Sequence, residues 1–198
     1  MIDWLNHIDT QLFLFFNSFH NKSWDWIMWH ISGKLEWLPL YLFLIFVIIR
    51  KYRKESIWFL LSIAVLITLS DTISAKIIKE LVARPRPSHN PDIANLIHLV
   101  KNHHGGLYGF VSNHAANTFA LATYLVLNFK NRWASVAILF WAGLVSYSRI
   151  YIGVHYPGDI VGGAILGILL AILIYKLYQN YINFFTGKKS QKLKKDEQ

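Results

Sequence analysis

The sequence predicts an all-α fold, an integral membrane helical bundle of five spans, or six, with interfacial helices at its N-terminus. Three observations carry this expectation. Hydrophobic residues make up 54% of the 198-residue chain and charged residues only 16%, where soluble globular chains carry about 25%. Apolar runs of membrane-crossing length recur along the chain, separated by short basic blocks. Aromatic residues reach 16%, and their amphipathic rings collect at the membrane–water boundary.

The elements follow in order. Over residues 1–33, Leu12, Phe13, Phe15 and Phe16 form an apolar patch broken by polar neighbours, and Trp24, Trp26 and Trp29 suit the headgroup region. This stretch reads as one or two interfacial helices, with an additional span as the alternative. The first span runs over 35–49, starting as early as 24, and the second over 57–82. The third covers 115–129, short against the roughly 20 residues a crossing needs. The fourth covers 133–150 and the fifth 160–178, where Gly163-x3-Gly167 reads as a close helix-packing motif. Residues 188–198 read as a basic, disordered cytoplasmic tail behind a single domain, 1–187. The start, Met1-Ile2-Asp3-Trp4, lacks a basic leader region, so no removable signal is expected.

The net charge of +9 is distributed in blocks. Arg50, Lys51, Arg53 and Lys54 form one, Lys130 and Arg132 another, and the C-terminal tail a third. Alternating spans put all three on one side, the cytoplasmic one by the positive-inside bias. No motif supports nucleic-acid binding. The absence of cysteine excludes disulfides, thiolate catalysis and Cys-ligated metal.

The same alternation brings four distant junctions to the opposite face. Lys79 and Arg86 follow the second span, Ser112-Asn113-His114 precede the third, Ser148-Arg149 close the fourth, and His155 with Asp159 precede the fifth. Each has a plain structural reading: a cationic anchor at the headgroups, an N-cap at Ser112, a helix cap at Asp159. Together they read as an anion site. Proline at 85 and 87 forces the chain out of helix and presents its cations on an extended segment. Arg offers a planar fork to two phosphate oxygens and Lys a point charge. A helix N-terminus at 112–114 adds unpaired N–H groups. Asp159, four residues after His155 across a Pro-Gly turn, lies within reach to fix the imidazole tautomer.

Three further features stand out. Asp71 lies inside the second span, where an acid costs about 2.5–3.5 kcal/mol on insertion scales. It is expected to face the bundle, pairing with a cation such as Lys76 or hydrogen-bonding a neighbouring span. His103-His104-Gly105-Gly106 reads as a mobile substrate-facing loop rather than a metal site, since two adjacent His lack a third ligand. Arg84 reads as facing solvent in preference to a headgroup.

These residues resemble the type 2 phosphatidic acid phosphatase superfamily, whose three-part signature is Lys-x6-Arg-Pro, Pro-Ser-Gly-His and Ser-Arg-x5-His-x3-Asp. The first part corresponds to Lys79 through Arg86-Pro87, and the third to Ser148-Arg149, His155 and Asp159. The middle part departs: Val111-Ser112-Asn113-His114 keeps Ser and His but replaces Pro and Gly. The resemblance implies a metal- and cofactor-independent lipid phosphatase. In it Lys79, Arg86 and Arg149 clamp the phosphate, with Ser112 and the Asn113 backbone assisting. His155 attacks phosphorus, Asp159 orients it, and His114 protonates the leaving oxygen. The implied partners are a phosphorylated lipid and the bilayer. The implied setting is the cell (inner) membrane, multi-pass, with 84–112 as an active-site loop on the extracytoplasmic, periplasmic side. Undecaprenyl diphosphate is the leading substrate expectation. Lipid A 1-phosphate and phosphatidylglycerophosphate or phosphatidate are the alternatives, and a non-enzymatic anion or lipid binder is the competing class. A vanadate-dependent peroxidase, the activity of soluble relatives, is set aside.

Overall fold

The computed structural model describes residues 2–196, with side chains described from Trp4 to Phe184. Eight α-helices follow one another: α1 (Ile2–Ser18), α2 (Lys22–Ser32), α3 (Leu38–Tyr52), α4 (Ser56–Thr72), α5 (Lys79–Val82), α6 (Asn113–Phe129), α7 (Arg132–Tyr151) and α8 (Pro157–Asp196). No strand occurs among the described residues. The basic tail expected over 188–198 lies outside the described side chains.

Local chemistry sets the boundaries. Asn21 and Asn131 cap α2 and α7, each accepting from a backbone N–H at 2.9 Å. Pro39 stands in the first turn of α3 and Pro157 opens α8, where a missing N–H costs nothing. Lys130 ends α6 in the left-handed region, with φ +52°. A π-helical stretch, Ile73–Ile78, joins α4 to α5 directly before Lys79.

Three apolar runs have the length and composition to cross a membrane: Leu35–Val82, Arg132–Tyr151 and Pro157–Phe184. The first folds as two helices, α3 and α4, broken where Arg53 takes φ +52°. Phe43 and Phe46 on α3, Leu61 on α4, Phe140 on α7 and Leu169 on α8 are all exposed, as lipid-facing side chains are. The expected third span, 115–129, falls within α6 but is not among these runs. Helix α6 has only 17 residues, Asn117, Thr118 and Asn128 lower its hydropathy, and it packs on α4, α7 and α8. A helix wrapped by protein needs no lipid-compatible surface.

Ala115, Ala116, Ala120 and Ala122 on α6 are fully buried. A Cβ at Gly163 would meet the Ser112 carbonyl, and one at Gly167 the Ala116 carbonyl, so the Gly-x3-Gly spacing sets the α6–α8 approach. At one end of the bundle, Lys51 Nζ and Tyr52 Oη donate to the Asn128 carbonyl at 3.4 and 3.3 Å. The two basic turns therefore share an end, as alternation requires. The polar junctions gather at the other.

α1 and α2 pack against α7, and α1 also against α8. Neither reaches the length and apolarity of a span. They brace the long connection after α5. Asn17, 1% exposed, accepts from the His98 N–H at 2.7 Å and donates to the Tyr151 carbonyl at 2.9 Å. Asp25 receives Tyr151 Oη at 2.8 Å and lies 2.9 Å from His98 Nε2.

Candidate active site

The turn between α7 and α8 positions the first imidazole. Gly153 takes φ +89°, and a Cβ there would lie 2.6 Å from the His98 carbonyl, so the chain can turn tightly only with glycine. His155 follows, 1% exposed, its Nδ1 3.1 Å from Asp159 Oδ2. The same carboxylate oxygen accepts the Tyr156 N–H at 3.1 Å. A carboxylate at Nδ1 places the proton there and leaves Nε2 with its lone pair. Burial first, then the charges of Arg86, Arg149, Lys79 and Arg84, hold His155 well below its ordinary pKa. Both effects favour the neutral imidazole.

Three cations surround it. Arg86 leaves the helix on the Arg84-Pro85-Arg86-Pro87 segment, which pairs with 107–109: the Arg86 N–H donates to the Leu107 carbonyl at 3.0 Å, and the Gly109 N–H to the Arg84 carbonyl at 2.8 Å. Its Nε donates to the Tyr108 carbonyl at 3.1 Å, while Nη1 is buried without a partner. Arg149 donates from Nη1 to Ser32 Oγ, and its Nε is likewise buried and unpartnered. Buried guanidinium donors without acceptors mark a place for an anion. Lys79, Arg86, His114, Arg149 and His155 all line one cavity of about 990 Å³. Away from them its wall turns apolar, through Tyr41, Leu44 and Ile48 of α3 and Leu60, Ile63 and Leu125 beyond. The shape suits a molecule with an anionic head and a long apolar body.

Asp159 stands behind His155 and is fully buried. Ser112 too is fully buried, and its Oγ accepts the Ala115 N–H at 3.5 Å, capping α6. Asn113 lines the cavity, and its side chain turns to Asp71, with Nδ2 3.4 Å from Oδ1. Asp71 thus hydrogen-bonds a neighbouring helix, the second of its two expected arrangements.

Arg84 does not face solvent. It is 19% exposed and bridges two carboxylates, Asp9 Oδ2 at 2.7 Å and Asp159 Oδ1 at 3.0 Å, with its guanidinium over the Tyr156 ring. Asp9 also accepts the Gly158 N–H at 2.7 Å. A chain of contacts therefore runs from α1 through Arg84 and Asp159 to His155. Sequence reasoning missed Asp9 and Asn17. The available signal was spacing: Asp9, Phe13 and Asn17 recur every four residues on one stripe of α1, and Phe13 and Asn17 are buried.

The His103–Gly106 loop is anchored at His104. Ser88 Oγ donates to the His104 carbonyl at 2.6 Å, and His104 Nδ1 lies 3.1 Å from the Ser88 carbonyl. Gly105, at φ +68°, leaves room for Arg86 Nη1, which a Cβ would approach to 2.6 Å. Among the described residues no three His, Asp or Glu side chains cluster as metal ligands would.

Known proteins are similar to this chain. The family model for the PAP2 superfamily matches residues 55–183. The lipid A 4'-phosphatase of Bacteroides thetaiotaomicron is 44% identical over 170 residues, 84% of this chain and 75% of that protein. The lipid A 4'-phosphatase of Porphyromonas gingivalis is 33% identical over 178 residues, 89% of this chain and 75% of that one. Among solved structures, a transmembrane PAP2 type phosphatidylglycerolphosphate phosphatase from Bacillus subtilis superposes with TM-score 0.64 at 23% identity, covering 89% of this chain and 87% of that one. With the family model covering more than half its length, this chain belongs to the PAP2 superfamily.

Proposed function

We propose that this protein is a membrane phosphatase that removes a phosphate monoester from a lipid A-type glycolipid, at the 4' position. The observation that carries the chemistry is the convergence of Lys79, Arg86, Arg149, His114 and His155 on one cavity whose far wall is apolar. The substrate class rests on the two lipid A 4'-phosphatases, similar to this chain over most of its length. Undecaprenyl diphosphate, the leading expectation from sequence alone, gives way to it. A setting in the inner membrane, with the site on the periplasmic face, belongs to the same proposal.

Lys79, Arg86 and Arg149 take the non-bridging phosphate oxygens. Phosphoryl transfer asks chiefly for such charge stabilisation and in-line positioning. His155 Nε2 attacks phosphorus, the P–O bond to the lipid breaks, and His114 gives its proton to the departing oxygen. Water then attacks the phosphohistidine, losing its proton to His114, and inorganic phosphate leaves. Asp159 holds Nδ1–H throughout and stabilises the imidazolium that forms. Ser112 caps α6 and, with the Asn113 backbone, assists at the phosphate.

Phosphate release from purified protein tests the substrate. Lipid A is expected to turn over with higher kcat/KM than undecaprenyl diphosphate, phosphatidylglycerophosphate or phosphatidate. Faster turnover of the diphosphate would restore the earlier expectation. Turnover is also expected to persist in chelator, because cations rather than carboxylates surround the phosphate position and give Mg²⁺ no ligand set. Activity abolished by chelator and restored by Mg²⁺ would refute this.

Arg84 and Asp9 are positioning residues in this scheme. Asp9→Asn is expected to lower kcat about tenfold and Arg84→Met about 10–100-fold, with KM little changed. The double variant should be no worse than Arg84→Met alone, because the two act through one contact chain. Additive losses, or losses confined to KM, would show that α1 only braces the fold.

A further inference from the structure

We infer that Asp71, held by Asn113 and Asn117, is the subsite that receives the hydroxyl or amide N–H groups of a sugar headgroup beside its phosphate. The inference rests on the proposed function and deepens it, by naming residues that would select a glycolipid over other lipid phosphates.

Asp71 lies on α4 between Ser70 and Thr72, in a run of apolar residues where a carboxylate is costly. Its side chain lines the active-site cavity together with Asn113, Asn117, Thr68 and Thr72. Two amides converge on one of its oxygens: Asn113 Nδ2 at 3.4 Å and Asn117 Nδ2 at 3.2 Å, both to Oδ1. Among the described residues Oδ2 receives no hydrogen bond. The amides hold the carboxylate by turning their own carbonyl oxygens into buried positions without partners. A contact serving only to lock α4 to α6 would be better made with those acceptors satisfied. What the arrangement achieves is an oriented acceptor facing the cavity.

The charges around it sharpen the reading. Lys34, Lys76, Lys79, Arg86 and Arg149 line the same cavity, yet none forms an ion pair with Asp71. A second phosphate placed against Asp71 would meet a like charge. Hydrogen-bond donors carried on the carbon skeleton meet a charged acceptor instead, and such bonds are about twice as strong as neutral ones. A lipid A-type sugar carries its donors, a hydroxyl and an amide N–H, on the same sugar as its phosphate. A phosphatidate offers only ester oxygens there, and a polyprenyl diphosphate a second anion and a hydrocarbon. His114 and Asn117 lie three residues apart on α6, on one side of the helix, and both line the cavity, so a residue that holds this acceptor neighbours the group assigned to protonate the leaving oxygen. The Asn113 contact also gives a role to the residue that replaces glycine in the middle signature.

The test compares kcat/KM of wild type, Asp71→Asn and Asn117→Leu on three substrates in detergent micelles: lipid A, phosphatidate and undecaprenyl diphosphate. In Asp71→Asn the preference for lipid A over phosphatidate should fall at least about tenfold, mostly through KM. Asn117→Leu should move it the same way by a smaller factor. Tryptophan-detected unfolding of each variant separates lost recognition from lost folding. Equal losses on all three substrates, or an unchanged preference, overturn the inference and leave the contact as a helix lock. A wild type that releases phosphate from none of the three overturns the proposed function itself.

Discussion

Replacing His155 by alanine is expected to abolish phosphate release, lowering kcat by about 10⁴-fold or more, the usual scale for removing a nucleophile. The geometry argues for so large an effect. His155 is nearly inaccessible except through the cavity, its Nδ1 is committed to Asp159 at 3.1 Å, and burial with four nearby cations favours its unprotonated form. No other imidazole in the cavity has a carboxylate fixing its tautomer. Two readouts check the assignment. Acid-quenched wild type incubated with labelled lipid should carry acid-labile phosphate on histidine, and the variant should carry none. Lipid binding should survive, since Lys79, Arg86 and Arg149 remain. Residual turnover within about tenfold of wild type would place the nucleophile elsewhere.

The second large effect concerns His114. Its replacement by alanine is expected to slow lipid turnover by about 10²–10⁴-fold, the range for loss of a positioned acid–base group. The leaving group decides where in that range it falls. A sugar alkoxide needs its proton at the moment of bond cleavage, whereas p-nitrophenolate leaves readily without one. The variant should therefore lose far more activity on the lipid than on p-nitrophenyl phosphate. With the aryl phosphate, hydrolysis of the phosphohistidine should become the slow step, giving a burst of nitrophenol followed by slow turnover. Equal losses on both substrates, with no burst, would reassign His114 from proton transfer to binding.

Much of this site was legible in the chain because its rules are local or periodic. Apolar runs and basic blocks set the alternation of the chain from Leu35 onward, and that alternation places Lys79, Arg86, His114, Arg149 and His155 at one end. The structure agrees, with the 50–54 and 130–132 turns meeting at the other end through Asn128. The His155–Asp159 contact was readable for the same reason, being a short turn closed by Pro157. Ser112 was the ambiguous case. A serine before a helix is equally suited to cap it or to face a ligand; in the structure it is fully buried and its Oγ accepts the Ala115 N–H, as a cap does.

By itself the sequence determined an all-helical membrane chain, the face on which its cations and imidazoles collect, and the order in which they enter the site. Tertiary structure decided which polar groups pair. Arg84 reaches Asp9 and Asp159, each 75 residues away, Arg149 reaches Ser32 across 117, and Asn117 meets Asp71 across 46. Hydrophobic periodicity records how each helix meets lipid or protein. Charge and hydrogen-bond partnership depends instead on which helices lie side by side and at what depth, and nothing in the local pattern of one segment encodes its neighbour.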